Sequence, residues 1–293
     1  MYEDHTQTVM KPFRKGVIVM NEYQVHILNI FKVVSSICKK HNIRYYAIGG
    51  TCIGAVRHKG FIPWDDDLDI AVPIEDYDRL KKLLIDELPP HLKYYDCKSS
   101  LHYHYVFSKV IDTRTTVIQN TVKHYKDAYI GVYIDIMPLS SIPSNPIFRM
   151  VHIAKIMTVF MLNIVRRFPL CSQNSITGKL ASLVFKVPLS VFKFDKFSDI
   201  YIHELEKCPC KNSNNVAFSW SKQVFRNIFP YEWFSDTIEM QFEDTTIECP
   251  IDYDKYLKKH FGDYMIIPPL SQQKKHDSFV DLNHPFTDYQ NDV

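Results

Sequence analysis

The first twenty residues hold no apolar core followed by a small-residue cleavage site, the seven cysteines (38, 52, 97, 171, 208, 210 and 249) follow no regular spacing, and no internal repeat or low-complexity tract is visible. The missing leader and the odd, irregular thiols argue against a secreted disulfide scaffold and predict a reduced, cytoplasmic protein. Charge of one sign is also missing. A net charge of +2 is too near neutrality for the whole chain to read as a nucleic-acid binder, so no nucleic-acid partner is expected. With 46% hydrophobic and 23% charged residues in 293, disorder is excluded and one large or two small domains are allowed. Cys208 and Cys210 together with His203 and Cys249 lack the C-x₂₋₄-C spacing of a zinc site, so ordinary half-buried thiols are the favoured reading.

The elements alternate. Asn21 to His41 places apolar residues at 27, 28, 30, 31, 34 and 37, the spacing of an amphipathic helix, and Asn42 follows its basic end. "IRYYAI" (43–48) reads as a buried strand stopping at Gly49-Gly50, followed by a short helix, "TCIGAVR". "LDIAV" (68–72) reads as the next strand and 75–87 as a helix with acids in its first turn. Further strands are expected near 103–111, 115–118 and 130–137, and a late helix over 253–265 ending near Gly262. The pattern is α/β (α+β) with a mixed sheet.

Residues 146–196 stand apart, with eight Lys or Arg against one acid, Asp195. The segment is rich in Ile, Val, Leu, Met and Phe, yet no stretch free of charge and proline reaches the ~20 residues that cross a bilayer. A basic amphipathic surface lying on an anionic membrane and a pair of helices packed on the core with solvated lysines both remain open.

The densest chemistry lies in "PWDDDLDIAV", with aspartates at 65, 66, 67 and 69. On a strand, Asp67 and Asp69 point to one face, roughly 6.5 Å apart, while Leu68 and Ile70 point into apolar packing. Carboxylates so close repel, and at least one stays protonated unless a cation sits between them. A hard divalent ion meets that need, because Mg²⁺ takes one or two carboxylates plus water and phosphate oxygens. Gly49-Gly50-Thr51, at a strand end before a helix, lets backbone approach an anion, and Arg57, His58 and Lys59 add cations nearby. Together these features describe a metal-dependent nucleotidyl or phosphoryl transfer site.

"GGTCIGAVRHKGFIPWDDDLDIAVPIEDYDRL" resembles the signature of the LicD family, which includes phosphocholine transferases and relatives of fukutin-related protein. Weaker blocks follow in order: "KVIDTRTT" (109–116), "GVYIDIMPL" (131–139), "FPYEWF" (229–234) and "YLKKHFGDYMIIPP" with His276. Cys52-Ile53 stands where two leucines are expected. The resemblance implies a nucleotidyltransferase-like mixed sheet flanked by helices, forming one catalytic domain over 21–280 between tails at 1–20 and 281–293, with 146–200 as a basic amphipathic insertion. It implies transfer of a phospho-alcohol such as phosphocholine from a CDP-activated donor to a hydroxyl of a glycan or lipid-linked oligosaccharide, with Mg²⁺ or Mn²⁺. The implied metal ligands are Asp65, Asp67, Asp69 and, as third carboxylate, Asp135, with Asp112 as runner-up. Gly49, Gly50, Thr51, Arg57, His58, Lys59, Trp64 and Lys109 are the implied substrate-binding residues, although Trp64 after Pro63 suits bracing of the loop better. Such an enzyme is expected in the cytoplasm, peripheral to the inner face of the membrane. A nucleotidyltransferase acting on a small acceptor and a non-catalytic, membrane-associated polysaccharide assembly factor are the alternatives.

Overall fold

The computed structural model describes residues 20–167, 191–220, 224–273 and 278–291. His276, Lys179 and Lys186 lie outside the described residues.

Helix α1 (Glu22–Lys40) begins with a capping box: Asn21 Oδ1 accepts the Gln24 amide at 2.9 Å, and Gln24 Oε1 accepts that of Asn21 at 3.1 Å. Its apolar stripe, Ile27, Leu28, Ile30, Phe31, Val34 and Ile37, is buried. Asn42, just past the helix, takes φ +53°, a left-handed turn that Asn tolerates. Strand β1 (Tyr46–Ala47) is shorter than the sequence predicts, and helix α2 (Gly49–His58) starts at once behind it. Strand β2 (Asp69–Pro73) leads into helix α3 (Ile74–Glu87). Strands β3 (Leu92–Tyr95), β4 (Ser108–Asp112), β5 (Thr116–Gln119) and β6 (Tyr133–Ser141) follow.

The main sheet runs β1-β2-β6-β4-β3. Only β2 and β6 are parallel within that order, in the register Asp69 opposite Asp135; β4 runs antiparallel to β6 with Lys109 opposite Asp135. The mixed sheet and seven α-helices among the described residues make an α/β fold. The strand expected near 103–111 is paired only from Ser108; Tyr103 to Phe107 form a loop in which the Tyr103 hydroxyl donates to the Phe107 carbonyl at 2.8 Å. Strand β3 has no clear alternation, so its sequence does not predict it.

Helix α4 (Pro146–Arg167) packs against α5 (Lys196–Glu206). Among the described residues one helix, α4, is long and apolar enough by length and composition to cross a membrane, and 28% of its most apolar stretch is buried.

Beyond it come β7 (Asn215–Ala217), which extends the sheet from the last residues of β6, β8 (Ile228–Pro230), and a hairpin of β9 (Thr237–Phe242) and β10 (Thr245–Pro250). Helix α6 (Tyr253–Phe261) stops before Gly262, at φ +73°. Strand β11 (Ser278–Asp281) pairs with β5, and within 281–293, expected to be a tail, helix α7 (Phe286–Asn291) is tied in by the Phe286 amide donating to the Thr115 carbonyl at 3.1 Å.

Candidate active site

The acidic run forms the loop that ends at β2. Leu68 and Ile70 are fully buried, so the in-and-out alternation expected of the run is kept although β2 opens only at Asp69 and Asp67 lies just outside the strand. The loop is held from three sides. Buried Gln24 of α1 donates its amide to the Asp65 carbonyl at 2.9 Å and the Ile62 carbonyl at 3.4 Å. The Phe61 amide donates to Glu243 Oε1, at the turn of the β9–β10 hairpin, at 2.9 Å. The Asp69 amide donates to Thr51 Oγ1 in α2 at 2.8 Å.

The two glycines face the acids. Gly49 has φ +57°, where a side chain is strained, and its amide donates to the Tyr256 hydroxyl at 2.9 Å. A β-carbon at Gly50 would collide with Asp65 Oδ2. The close approach at Gly50 is thus to an aspartate of this chain.

Asp69 and Asp135 are neighbours on the parallel pair of strands. Burial, then the charges of Asp67 and Asp135 and more weakly of Asp65, push the Asp69 carboxyl well above the usual carboxylate range, with Lys109 pulling the other way. Its Oδ1 is buried and makes no hydrogen bond. Lys109, 1% exposed, gives its ammonium to Asp135 Oδ1 and lies over the Tyr133 ring, 3.5 Å from its centroid. The lysine expected to meet substrate is thus engaged with a carboxylate of the same cluster.

Aromatic rings wall this cluster. The Tyr23 hydroxyl is pushed up by burial and by Asp66, Asp67 and Asp135, and Tyr105 is pushed up to about 12 by burial and Asp135. Tyr23, Gln24 and Glu243 escaped the sequence reading. The capping-box pattern Asn21-x-x-Gln24 signals a helix start, but nothing local says that its glutamine reaches residue 65.

Other expected residues have contacts of their own. Arg57, His58 and Lys59 end α2, roughly 13 Å along the helix from Gly49 at 1.5 Å per residue. Arg57 Nη1 donates to the Tyr264 carbonyl at 2.5 Å and the Ile266 carbonyl at 3.3 Å. Burial and Arg57 lower the His58 pKa, and its ring meets Trp64 edge-on at 6.3 Å, consistent with bracing of the loop. The runner-up Asp112 accepts Arg114 through Nε at 3.0 Å, Nη2 at 2.8 Å and the backbone amide at 3.1 Å. Burial pushes its carboxyl up, but these Arg114 bonds and charge outweigh it and hold the group below its usual range. Cys210 Sγ donates to the Leu139 carbonyl at 3.1 Å and Cys208 lies 4.0 Å from His152 Nδ1, so these thiols do not converge.

Among the described residues no three His, Cys, Asp or Glu side chains stand ready as a metal-ligand set. The cluster nevertheless suits a divalent cation. Its donors are hard carboxylate oxygens, Asp69 Oδ1 is buried without a partner, and Mg²⁺ needs only one or two carboxylates when phosphate and water complete its shell.

The domain described as "LicD/FKTN/FKRP, nucleotidyltransferase domain" matches residues 42–147, which hold α2, the acidic loop, Lys109 and Asp135. The chain is 28% identical over 271 residues to the lipopolysaccharide cholinephosphotransferase LicD of Haemophilus influenzae, spanning 88% of this chain and 96% of that protein. Shorter matches include 43% identity over 58 residues to an uncharacterized protein of Rickettsia prowazekii, covering 20% of this chain and 22% of that protein. The human ribitol 5-phosphate transferase FKRP is 35% identical over 52 residues, 18% of this chain and 10% of that protein. Two of these relatives are named as transferases of a phosphorylated alcohol.

Proposed function

We propose, from the match of residues 42–147 to the LicD/FKTN/FKRP nucleotidyltransferase domain, that the protein is a phosphotransferase that moves a phospho-alcohol group from a CDP-activated donor to a hydroxyl of a cell-surface glycan precursor. The reading includes Mg²⁺ or Mn²⁺ held by Asp67 and Asp69, with Asp65 and Asp135 beside them, and work in the cytoplasm at the inner face of the membrane. The observation that carries it is the buried, unpartnered oxygen of Asp69 set opposite Asp135 in a cluster of aspartates.

The divalent ion, when bound, neutralises charge on the donor diphosphate. The protein's own part is positional. Thr51 and Gln24 fix the two ends of the acidic loop, so the carboxylates need little reorganisation to meet a charged substrate. Lys109 supplies the counter-charge that lets Asp135 stay close to Asp69. A carboxylate of the cluster orients or deprotonates the accepting hydroxyl, and CMP departs.

The test is CMP release from a panel of CDP-choline, CDP-ethanolamine, CDP-glycerol and CDP-ribitol, with Mg²⁺ and the glycan acceptor. One donor is expected to turn over, with activity lost on chelation. Absence of release from every donor, with no divalent-dependent binding of cytidine nucleotides, would overturn the reading.

A further inference from the structure

We propose that the outward face of α4 is a membrane-insertion surface, lying parallel to an anionic bilayer with its side chains in the headgroup and upper acyl region. Apolar residues occupy both sides of this helix. At 100° per residue, Ile153, Ile156, Phe160, Asn163 and Arg167 form the buried stripe. On the opposite side Ile147, Met150, Val151, Ala154, Thr158 and Met161 form an exposed stripe free of charge, with Ile147 71% and Met150 66% exposed. Its one hydroxyl is satisfied within the helix, because Thr158 Oγ1 donates to the Ala154 carbonyl at 2.7 Å. The stripe therefore has no polar side-chain group that needs water, the condition for entering an apolar medium. Exposed apolar surface this continuous marks an interaction site rather than ordinary surface.

The choice of a bilayer as occupant follows from charge and anchoring. Helix α4 carries Arg149, Lys155, Arg166 and Arg167 and no acid. Arg166 lies along one edge of the exposed stripe, where it meets lipid phosphates if the stripe is inserted, while Lys155, three turns away on the same edge, is paired with Glu204 of α5 at 2.8 Å. Exposed Val191 and Phe192 adjoin the far end of the stripe, where Arg166 Nη2 donates to the Phe192 carbonyl at 3.2 Å. A spanning arrangement conflicts with the helix C-terminus. There Arg167, 1% exposed, donates to the carbonyls of Ser100, Leu101 and Cys97, and Asn163 donates to that of His104. Those bonds keep the inner face on the domain while the outer face meets lipid.

This surface is separate from the acidic cluster, so its test does not depend on catalysis. The full chain is floated with vesicles of phosphatidylcholine alone and of phosphatidylcholine mixed with phosphatidylglycerol, at low and high salt. Wild type is expected to float with the mixed vesicles and to stay partly bound at high salt, since apolar insertion is not screened as charge is. The double variant Met150→Asp with Val151→Asp is expected to melt as wild type does, because both side chains are exposed, and to lose at least about tenfold in partitioning. If that variant fails to fold, Met161→Asp at the other end of the stripe serves instead, with the same expected loss. Wild type remaining in solution with anionic vesicles, or a folded variant partitioning as wild type, would overturn the proposal. So would a wild-type dimer in sedimentation equilibrium that the Met150→Asp, Val151→Asp variant abolishes, which would assign the face to a second copy.

Discussion

Lys109 and Asp135 stand opposite each other on antiparallel β4 and β6, and the lysine ammonium, almost wholly buried, is bonded to the aspartate carboxylate. A cation supplied from within thus offsets part of the charge that the acidic loop concentrates beside Asp69. Its removal strands a carboxylate. Lys109→Met is expected to lower stability by about 3–5 kcal/mol, the scale for breaking a buried pair from one side. Urea unfolding measures the loss, and Lys109→Met with Asp135→Leu should recover much of it. A single variant as stable as wild type would show that the pair contributes nothing to the fold.

Asp67→Asn and Asp69→Asn should each reduce turnover by at least about two orders of magnitude, the scale for losing one preorganised electrostatic element. Far-ultraviolet circular dichroism should remain unchanged. Normal turnover in either variant would remove these residues from the site.

The two candidates for a third carboxylate differ in their bonding. Asp112 is committed to Arg114, whereas Asp135 faces Asp69. Asp135→Asn is expected to reduce turnover as strongly as the Asp67 and Asp69 variants, and Asp112→Asn to act mainly on melting temperature. The reverse ranking of turnover would transfer the role to Asp112.

Asp69 also ties stability to pH. Its carboxyl is pushed well above the ordinary carboxylate range, first by burial and then by Asp67 and Asp135. The unfolded chain therefore releases this proton at lower pH than the folded one, and the folded state loses stability as pH rises past the ordinary value near about 4. Without divalent ions, Asp69→Asn should melt higher than wild type at neutral pH, with the gap closing as pH falls below that range. A gap independent of pH would mean that Asp69 does not titrate as its surroundings require.

Gln24 gives a prediction far from the acidic run in sequence. Gln24→Leu leaves the Asp65 and Ile62 carbonyls without their donor, at a cost of about 1–3 kcal/mol. Turnover should fall while donor KM changes little, because the carboxylates lose their fixed position. An equal loss in a variant at an exposed α1 residue such as Val25 would reduce Gln24 to a general helix contribution.

The sequence alone determined what local pattern can determine. The apolar stripe of α1, the Gly49-Gly50 turn, and the alternation of Asp67 and Asp69 with Leu68 and Ile70 all depend on residues a few positions apart. The weaker blocks of resemblance also led to Asp135 as a candidate neighbour of Asp69. Tertiary structure decided the rest. Asp69 and Asp135 meet through a parallel register, Lys109 reaches Asp135 across a second pair of strands, and Gln24 and Glu243 grip the acidic loop from distant elements. It also decided that Arg57 serves the backbone near Tyr264, and that one apolar side of α4 faces outward. The physical reason is the same in each case. Periodicity tells which side chains share a face, but the partner of that face is fixed by strand register and helix docking, which depend on packing of the whole core rather than on any neighbouring residues.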